Sequence, residues 1–253
     1  MYPGGSAIKQ REARYSDILA IARANASSFF DDRLFGDLIH PRRKGYPDDV
    51  YLFYLRSLRI GFWDYRTKWF VAVAEDANGK ETIVGFAKWL RVGSGGQSMD
   101  CQWSRLKRLL PTLTPSVLGS LLKPLSSQAM RIHALIWPNR AVDPEKDDVF
   151  ARSAPFTASL WSGERAESWL LDLLAVVPDY QGKGVGRLLV RWGLDRAQED
   201  GICASVVSAW NKDEFYHKAG FEIQDGSANM GEGNPLADAS GGNVWWKMPK
   251  VRA

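Results

Sequence analysis

The chain has 253 residues, of which 45% are hydrophobic, and its 33 basic and 29 acidic side chains leave a net charge of +4. This length and composition suit one domain with a substantial core, and no run approaches the ~18 consecutive apolar residues of a membrane span. The basic residues are spread along the chain, so solvated surface accounts for the positive charge better than a nucleic-acid site does.

The first half of the chain predicts a strand, two helices and a β-hairpin. Ser16 or Asp17 is expected to cap the first helix, and Asn78-Gly79 is a good hairpin connector. The predicted elements are a strand near residues 8–13, a helix that follows Asp17, a helix over 48–60, and strands over 69–74 and 82–90.

The stretch between Val92 and Glu167 is far longer than an ordinary connection and must carry structure of its own. We expect it to form either a wall or lid over a ligand pocket, or a surface insertion with its own small cluster. Short helices are predicted over 103–110 and 115–122 and a helical turn over 147–152, whereas 128–137 fits either a strand or a helix.

The segment from Leu173 to Val190 joins an apolar strand to a glycine-spaced turn and an amphipathic helix. The three glycines within 182–186 leave consecutive backbone N–H groups open at the helix start, where they can point together at an anion. The helix dipole and the side chains of Lys183 and Arg187 add positive charge. The turn is therefore predicted to bind a phosphate.

Two familiar phosphate-binding loops do not fit this turn. A Walker-type loop needs serine or threonine after its Gly-Lys pair, whereas Lys183 is followed by Gly184. A dinucleotide fingerprint that starts at Gly182 would need its third glycine where the chain has Arg187. On these residues alone, an ordinary strand-to-helix turn remains the alternative.

The sequence after the helix continues the pattern. Residues 202–209 form a β-branched run typical of a buried strand, and Asn211 is expected to cap a short helix that ends at Gly220. The chain then closes with a Gly-, Asn- and Ser-rich loop and a last strand, over 225–241 and 242–248.

The hexapeptide Gln181–Gly186 resembles the Gln/Arg-x-x-Gly-x-Gly signature of the GCN5-related N-acetyltransferases (GNAT), in which the turn binds the pyrophosphate of acetyl-coenzyme A. Phe215-Tyr216 and Gly220-Phe221 resemble the block that follows in that family. The resemblance implies one α/β (α+β) domain over residues 1–253, with a mixed, mostly antiparallel twisted sheet flanked by helices and a helical insertion over 92–167. The residues Trp137-Pro-Asn-Arg-Ala141 and Asp143-Pro144 resemble those of fungal members of the family.

The resemblance also implies an activity and a coenzyme. The expected enzyme moves an acetyl group from acetyl-CoA to the primary amine of a small molecule by direct attack in a ternary complex. Many members place an asparagine seven residues before the tyrosine, where this chain has Ala209, and Asn211 is the asparagine nearest to that position. The residues expected at the coenzyme are Leu174, Ala175, Val176, Gln181, Gly182, Lys183, Gly184, Val185, Gly186, Arg187, Asn211 and Phe215.

Two side chains are the candidates for catalysis. The acceptor ammonium must lose a proton before its nitrogen can attack. Asp172 resembles the base or substrate-binding acid of the diamine acetyltransferases, and an unpaired carboxylate in its apolar run would be costly without a purpose. The alternatives are that Asp172 pairs with an arginine and that Glu164 or Glu167 takes its place. Tyr216 resembles the general acid that protonates the departing thiolate.

Other functions stay open on the sequence. A protein or peptide acetyltransferase would need an open groove, and a non-catalytic acyl-CoA-binding module would need neither catalytic residue. Three dispersed histidines and two cysteines offer no metal-ligand cluster, so no metal is expected. We expect a cytoplasmic monomer or homodimer with no nucleic-acid or membrane partner. Four tryptophans near the expected cleft either contact the acceptor or pack in the core, namely Trp137, Trp161, Trp169 and Trp210.

Overall fold

The computed structural model describes residues 8–98 and 115–250. The strands are β1 (Ile8–Glu12), β2 (Thr67–Glu75), β3 (Glu81–Val92), β4 (Ser168–Val176), β5 (Cys203–Ala209), β6 (Ile223–Ser227) and β7 (Gly241–Lys247). The helices are α1 (Ile18–Ser28), α2 (Val50–Gly61), α3 (Pro115–Ile136), α4 (Val149–Thr157), α5 (Val185–Asp200) and α6 (Asp213–Ala219). A π-helical turn, Arg33–Ile39, lies between α1 and α2.

The seven strands form one sheet in the order β1-β2-β3-β4-β5-β7-β6. Every neighbouring pair is antiparallel except β4 and β5, which are parallel. The predicted mixed, mostly antiparallel sheet is therefore confirmed. Because β4 and β5 are parallel, their connection must cross over, and α5 makes that crossover.

Each face of the sheet carries its own core. On one face, α5 packs against β3, β4 and β5 through residues that include Trp89, Trp169 and Leu189. Gly193 of α5 has no room for a side chain, because a Cβ there would lie 2.2 Å from the Trp89 ring. On the other face, α1 and α2 cover β2 and β3 through a second cluster that contains Trp69.

The predicted elements of the first half are confirmed, but α3 is much longer than predicted. The helix continues past Pro124 and ends at Ile136. The segment 128–137, for which a strand and a helix were both open, is therefore helical except for Trp137. Contacts with the α2 end offset the backbone bond that a mid-helix proline removes. The Ser126 hydroxyl donates to the Arg59 carbonyl at 3.0 Å, and Lys123 lies 2.8 Å from Asp64. The helix predicted over 103–110 lies outside the described residues.

Two predictions in the second half are wrong. The loop expected from residue 225 begins only after β6, an edge strand whose exposed residues give no apolar alternation. Asn211 does not cap α6. It adopts the left-handed conformation with φ 57°, and the N-cap position belongs to Lys212, whose side chain makes no capping bond. The helix ends at Gly220, as predicted.

Candidate active site

The sheet opens between its two parallel strands. Pairing of β4 with β5 begins at Ser168 and ends where Leu171 lies opposite Val206. Beyond that point β4 continues to pair with β3, while β5 continues with β7. The end of β4, which contains Leu174, Ala175 and Val176, therefore has no strand partner on its β5 side. An open strand edge can pair with an extended, amide-bearing ligand as it would with another strand.

Asp172 lies at the point where the gap opens. Lys88 pairs with Leu173 and Trp89 pairs with Leu171, which leaves Asp172 as the extra residue of a β-bulge in β4. Its carboxylate lies 2.7 Å from Lys88 Nζ, and 38% of its side chain is exposed. The carboxylate is therefore paired, with a lysine in place of the arginine of the alternative. The bulge turns the acid out of the core and gives it a lysine partner.

The glycine turn lies at the far end of β4, directly before α5. Gly182 and Gly184 adopt positive φ values of 71° and 82°, and a Cβ at either would meet no atom within 4 Å. Successive N–H groups in such turns form anion-binding concavities, and the first turn of α5 adds unpaired N–H groups. Gln181 ties the turn to β4 by donating from Nε2 to the Val176 carbonyl at 2.9 Å.

Two cationic side chains flank this turn. The side chains of Lys183 and Arg187 are exposed. Lys183 Nζ lies 5.2 Å from the centre of the Tyr180 ring. Val185 is buried and anchors the first turn of α5 in the core. The turn thus keeps the open, cationic form that a phosphate needs.

Phe215 connects the turn to α6. A Cβ at Gly186 would lie 2.9 Å from Phe215 Cζ and 3.9 Å from Val176 Cγ2. This glycine is therefore required for close packing of the α5 start, β4 and α6. Asn211 is exposed in the tight turn between β5 and α6, near the same end of the sheet.

Tyr216 follows Phe215 and is buried, with 7% of its surface exposed. Burial raises its pKa, and the nearby Asp213 carboxylate raises it further. The phenol is therefore protonated throughout the neutral range. Its ring forms edge-to-face contacts with Phe215 and Phe221, at centroid distances of 5.0 and 5.9 Å.

Asp213, which the sequence did not single out, anchors the helix that carries Tyr216. Its carboxylate accepts from Ser208 at 2.5 Å, from Trp245 Nε1 at 2.6 Å and from Asn243 at 3.0 Å. Burial opposes ionisation, but these bonds outweigh it and hold the pKa of Asp213 below its ordinary value. The three bonds join α6 to β5 and β7, and so fix the helix that carries Tyr216.

The two substitute acids differ from Asp172 in position. Glu167 accepts from the backbone and the hydroxyl of Ser94 at 2.6 and 2.7 Å, and lies 2.6 Å from Arg91. The bonds from Ser94, with those from Gly95 and Arg91, lower the pKa of Glu167 to about 2. A carboxylate held in this way is a weak base. Glu164 is exposed in a short 3-10 turn, Gly163–Arg165.

Three segments that are remote in sequence meet in a small apolar cluster. We call it the three-segment cluster. Its buried members come from the π-helical turn, the β3–β4 insertion and the β6–β7 loop, and are Ile39, Val142, Val149 and Leu236, with Leu34, Leu38 and Phe35 packed against them. Backbone bonds join the first two segments, including Asp143 N–H to the Ile39 carbonyl at 2.8 Å.

Arg33, the first residue of the π-helical turn, contacts Trp210. α1 packs over β3 and β4, whereas Trp210 directly follows β5. The Arg33 guanidinium lies 4.5 Å from the centre of the Trp210 ring. The connection between α1 and α2 therefore reaches from one lip of the gap to the other.

The other three tryptophans have different surroundings. Trp169 is buried and donates to Asp200 at 2.9 Å. Trp161 is half-buried and donates to the Ser205 hydroxyl at 3.0 Å, while Trp137 is 53% exposed at the end of α3.

The described residues also bear on covalent catalysis, metals and membranes. Cys203 is 1% exposed, and burial raises the pKa of its thiol, which makes it a poor nucleophile.

Within 8–98 and 115–250, no three His, Cys, Asp or Glu side chains are grouped as metal ligands would be. In the same residues, no helix has the length and apolar composition needed to cross a bilayer.

Residues 151–223, which contain the gap, the glycine turn and Tyr216, match the model of the acetyltransferase (GNAT) domain family. No curated protein matches the chain. The structure is similar to that of a Corynebacterium glutamicum protein named histone acetyltransferase HPA2 and related acetyltransferase. That protein is 17% identical, with 98% of this chain and 99% of that one covered and a TM-score of 0.54. This likeness establishes the shared fold.

Two further structures are more distant. The mosquito arylalkylamine N-acetyltransferase like 5b is 14% identical, with coverage of 96% of this chain and 100% of that one and a TM-score of 0.46. The PaiA N-acetyltransferase of Thermoplasma acidophilum, in complex with coenzyme A, is 12% identical, with coverage of 96% and 99% and a TM-score of 0.47.

Proposed function

We propose that the protein is an acetyl-CoA-dependent N-acetyltransferase of the GNAT type that acetylates the primary amine of a small molecule by direct attack in a ternary complex. One observation carries the proposal: the unpaired edge of β4 runs from Asp172 directly to the glycine turn. An acid, an open strand edge and an anion site thus follow one another in this order along the chain. The match of residues 151–223 to the GNAT domain family supports the same assignment.

The chain's own residues suit coenzyme A. The unpaired end of β4, Leu174 to Val176, offers backbone groups to the amides of the pantetheine arm. The turn from Gln181 to Arg187 offers N–H groups and two cationic side chains to the pyrophosphate. Phe215 packs against the turn, and Asn211 lies in the connection between β5 and α6. Bound acetyl-CoA supplies the activated acetyl group.

Asp172 and Tyr216 divide the proton chemistry between them. Asp172 faces the gap with an exposed carboxylate, where it anchors the acceptor ammonium or takes its proton. A backbone N–H of the open β4 edge polarises the acetyl carbonyl. Tyr216, whose phenol is protonated at neutral pH, donates to the sulfur as the thiolate leaves. Cys203 takes no part, because its thiol is buried and its pKa is raised.

The Arg33–Trp210 contact supports a small molecule over a protein. An extended peptide needs an open groove, whereas this contact joins one lip of the gap to the other. The three-segment cluster includes the π-helical turn that Arg33 begins, and we propose that it forms the wall of the acceptor pocket. A non-catalytic acyl-CoA-binding module is less well supported, because the Asp213 bonds position a protonated tyrosine that binding alone does not require. A cytoplasmic location, a fungal origin and a monomeric or homodimeric state stay predictions.

A thiol-release assay tests this function. Acetyl-CoA is offered with simple amines, amino acids, polyamines and a lysine-containing peptide, and free coenzyme A is followed with a thiol reagent. We expect release with at least one small amine and none above background with the peptide. Tight binding of coenzyme A in calorimetry without release on any acceptor would favour the binding module. Release with the peptide alone would favour the protein acetyltransferase.

A further inference from the structure

The lysine beside the candidate base has no role in the function proposed above. Lys88 Nζ lies 2.7 Å from Asp172 Oδ2, and the two side chains are 21% and 38% exposed. Resting on the proposed function, we infer that the acceptor carries a carboxylate next to its amine, as an α-amino acid does, and that Lys88 binds this carboxylate while Asp172 binds the amine.

The backbone places both charges at the gap. The bulge inserts Asp172 between Leu171 and Leu173, and Lys88 is the residue of β3 that pairs with Leu173. The bulge lies directly after the last β4–β5 pair, at Leu171 and Val206. An acceptor that reaches Asp172 therefore also reaches the ammonium of Lys88.

Lys88 has a second neighbour that holds it in place. A Cβ on Gly61, the last residue of α2, would lie 3.7 Å from Lys88 Nζ. The lysine head therefore lies at the C-terminus of a helix, where the partial negative charge favours a cation. Its position does not depend on Asp172 alone. Asp172 can turn toward a bound amine while Lys88 keeps a stabilising neighbour.

The charge pattern selects against a simple amine. An ammonium that binds Asp172 must displace or share the carboxylate with Lys88, and the two cations then repel each other across a few ångströms. A carboxylate on the acceptor removes this repulsion by pairing with Lys88. In an α-amino acid the two charged groups are attached to one carbon, so they match a lysine and an aspartate that lie side by side. The neutral pair therefore fits a zwitterion.

Matched pairs of acceptors test the inference, because each pair differs only by the carboxylate. The panel contains tyrosine with tyramine, histidine with histamine, and leucine with isoamylamine, each assayed by thiol release at saturating acetyl-CoA. We expect the amino acid to have a kcat/KM at least tenfold above that of its amine. Lys88→Met should reverse this order, and Lys88→Arg should preserve it.

A control variant separates the local charge from the overall charge. Lys68→Met removes a half-buried lysine from the neighbouring strand β2, and it should leave the order of acceptors unchanged. The affinity for acetyl-CoA, measured by calorimetry, should be the same in all four proteins. The wild-type comparison decides the matter even if a variant fails to fold.

The possible failures are distinguishable. Release with tyramine, histamine and isoamylamine at rates equal to or above those of the amino acids would overturn the inference and leave the proposed function intact. The same holds if folded Lys88→Met keeps the preference for amino acids. No release with any acceptor, including simple amines and polyamines, would overturn the proposed function and the inference together.

Discussion

Gly184 adopts the left-handed conformation, φ 82°, in the turn that leads into α5, and a Cβ there would meet nothing within 4 Å. Gly184→Ala therefore tests the backbone geometry without adding a clash. A left-handed conformation costs an L-residue roughly 1–2 kcal/mol. If the coenzyme requires this conformation, the alanine variant must adopt it on binding, and its cost reduces the binding free energy. At about 1.4 kcal/mol per factor of ten, coenzyme A should bind about 5- to 30-fold more weakly.

Gly201 provides the matched control at the opposite end of α5. It also has a positive φ, 68°, with nothing within 4 Å of an added Cβ. Gly201→Ala should lower the melting temperature by a few degrees, at roughly 2–4 °C per kcal/mol for a chain of this size, and leave coenzyme affinity unchanged. Calorimetry with coenzyme A and thermal unfolding of both variants provide the comparison. Equal coenzyme affinity in the two folded variants would refute the assignment of the turn as the phosphate site.

Three further predictions concern the candidate acids. Tyr216→Phe should lower kcat roughly 10²-fold with little change in coenzyme affinity, and near-wild-type turnover would assign the proton to water or another group. Asp172→Asn should depress activity most at low pH, where the acceptor is fully protonated; parallel pH–rate profiles would show that Asp172 is structural. Glu167→Gln should keep activity but lose stability. Because the folded-state pKa of Glu167 is lowered to about 2 from 4.5, its contribution is present above pH 4.5 and lost as the pH falls toward 2. The difference in unfolding free energy between wild type and Glu167→Gln should therefore shrink over that range, and a constant difference would contradict the shift.

The sequence predicts the coenzyme side well because its determinants are local. The glycine turn, the α5 helix and the stop at Gly201 depend on backbone rules that act within a few residues. The hairpin at Asn78-Gly79 is predictable for the same reason. The rule that an internal proline ends a helix failed for α3 at Pro124. Tertiary contacts with the end of α2 outweighed the missing hydrogen bond.

The acceptor side depends on contacts between remote parts of the chain. Lys88 and Asp172 are neighbours only because β3 and β4 pair in one register, which the bulge shifts by one residue. Nothing near Asp172 in the sequence indicates that it has a lysine partner. Asp213 similarly acts through Trp245 and Asn243, which lie on β7. Periodicity could identify these strands, but it could not pair their polar residues.

The three-segment cluster has a consequence for how new specificities arise. The donor side is encoded in one continuous stretch, whereas the proposed acceptor wall is assembled from three segments that are far apart in sequence and meet through apolar side chains. Such a wall can be exchanged one segment at a time while the coenzyme turn stays intact. Swapping the β3–β4 insertion between related proteins should therefore redirect the acceptor while the affinity for coenzyme A stays the same.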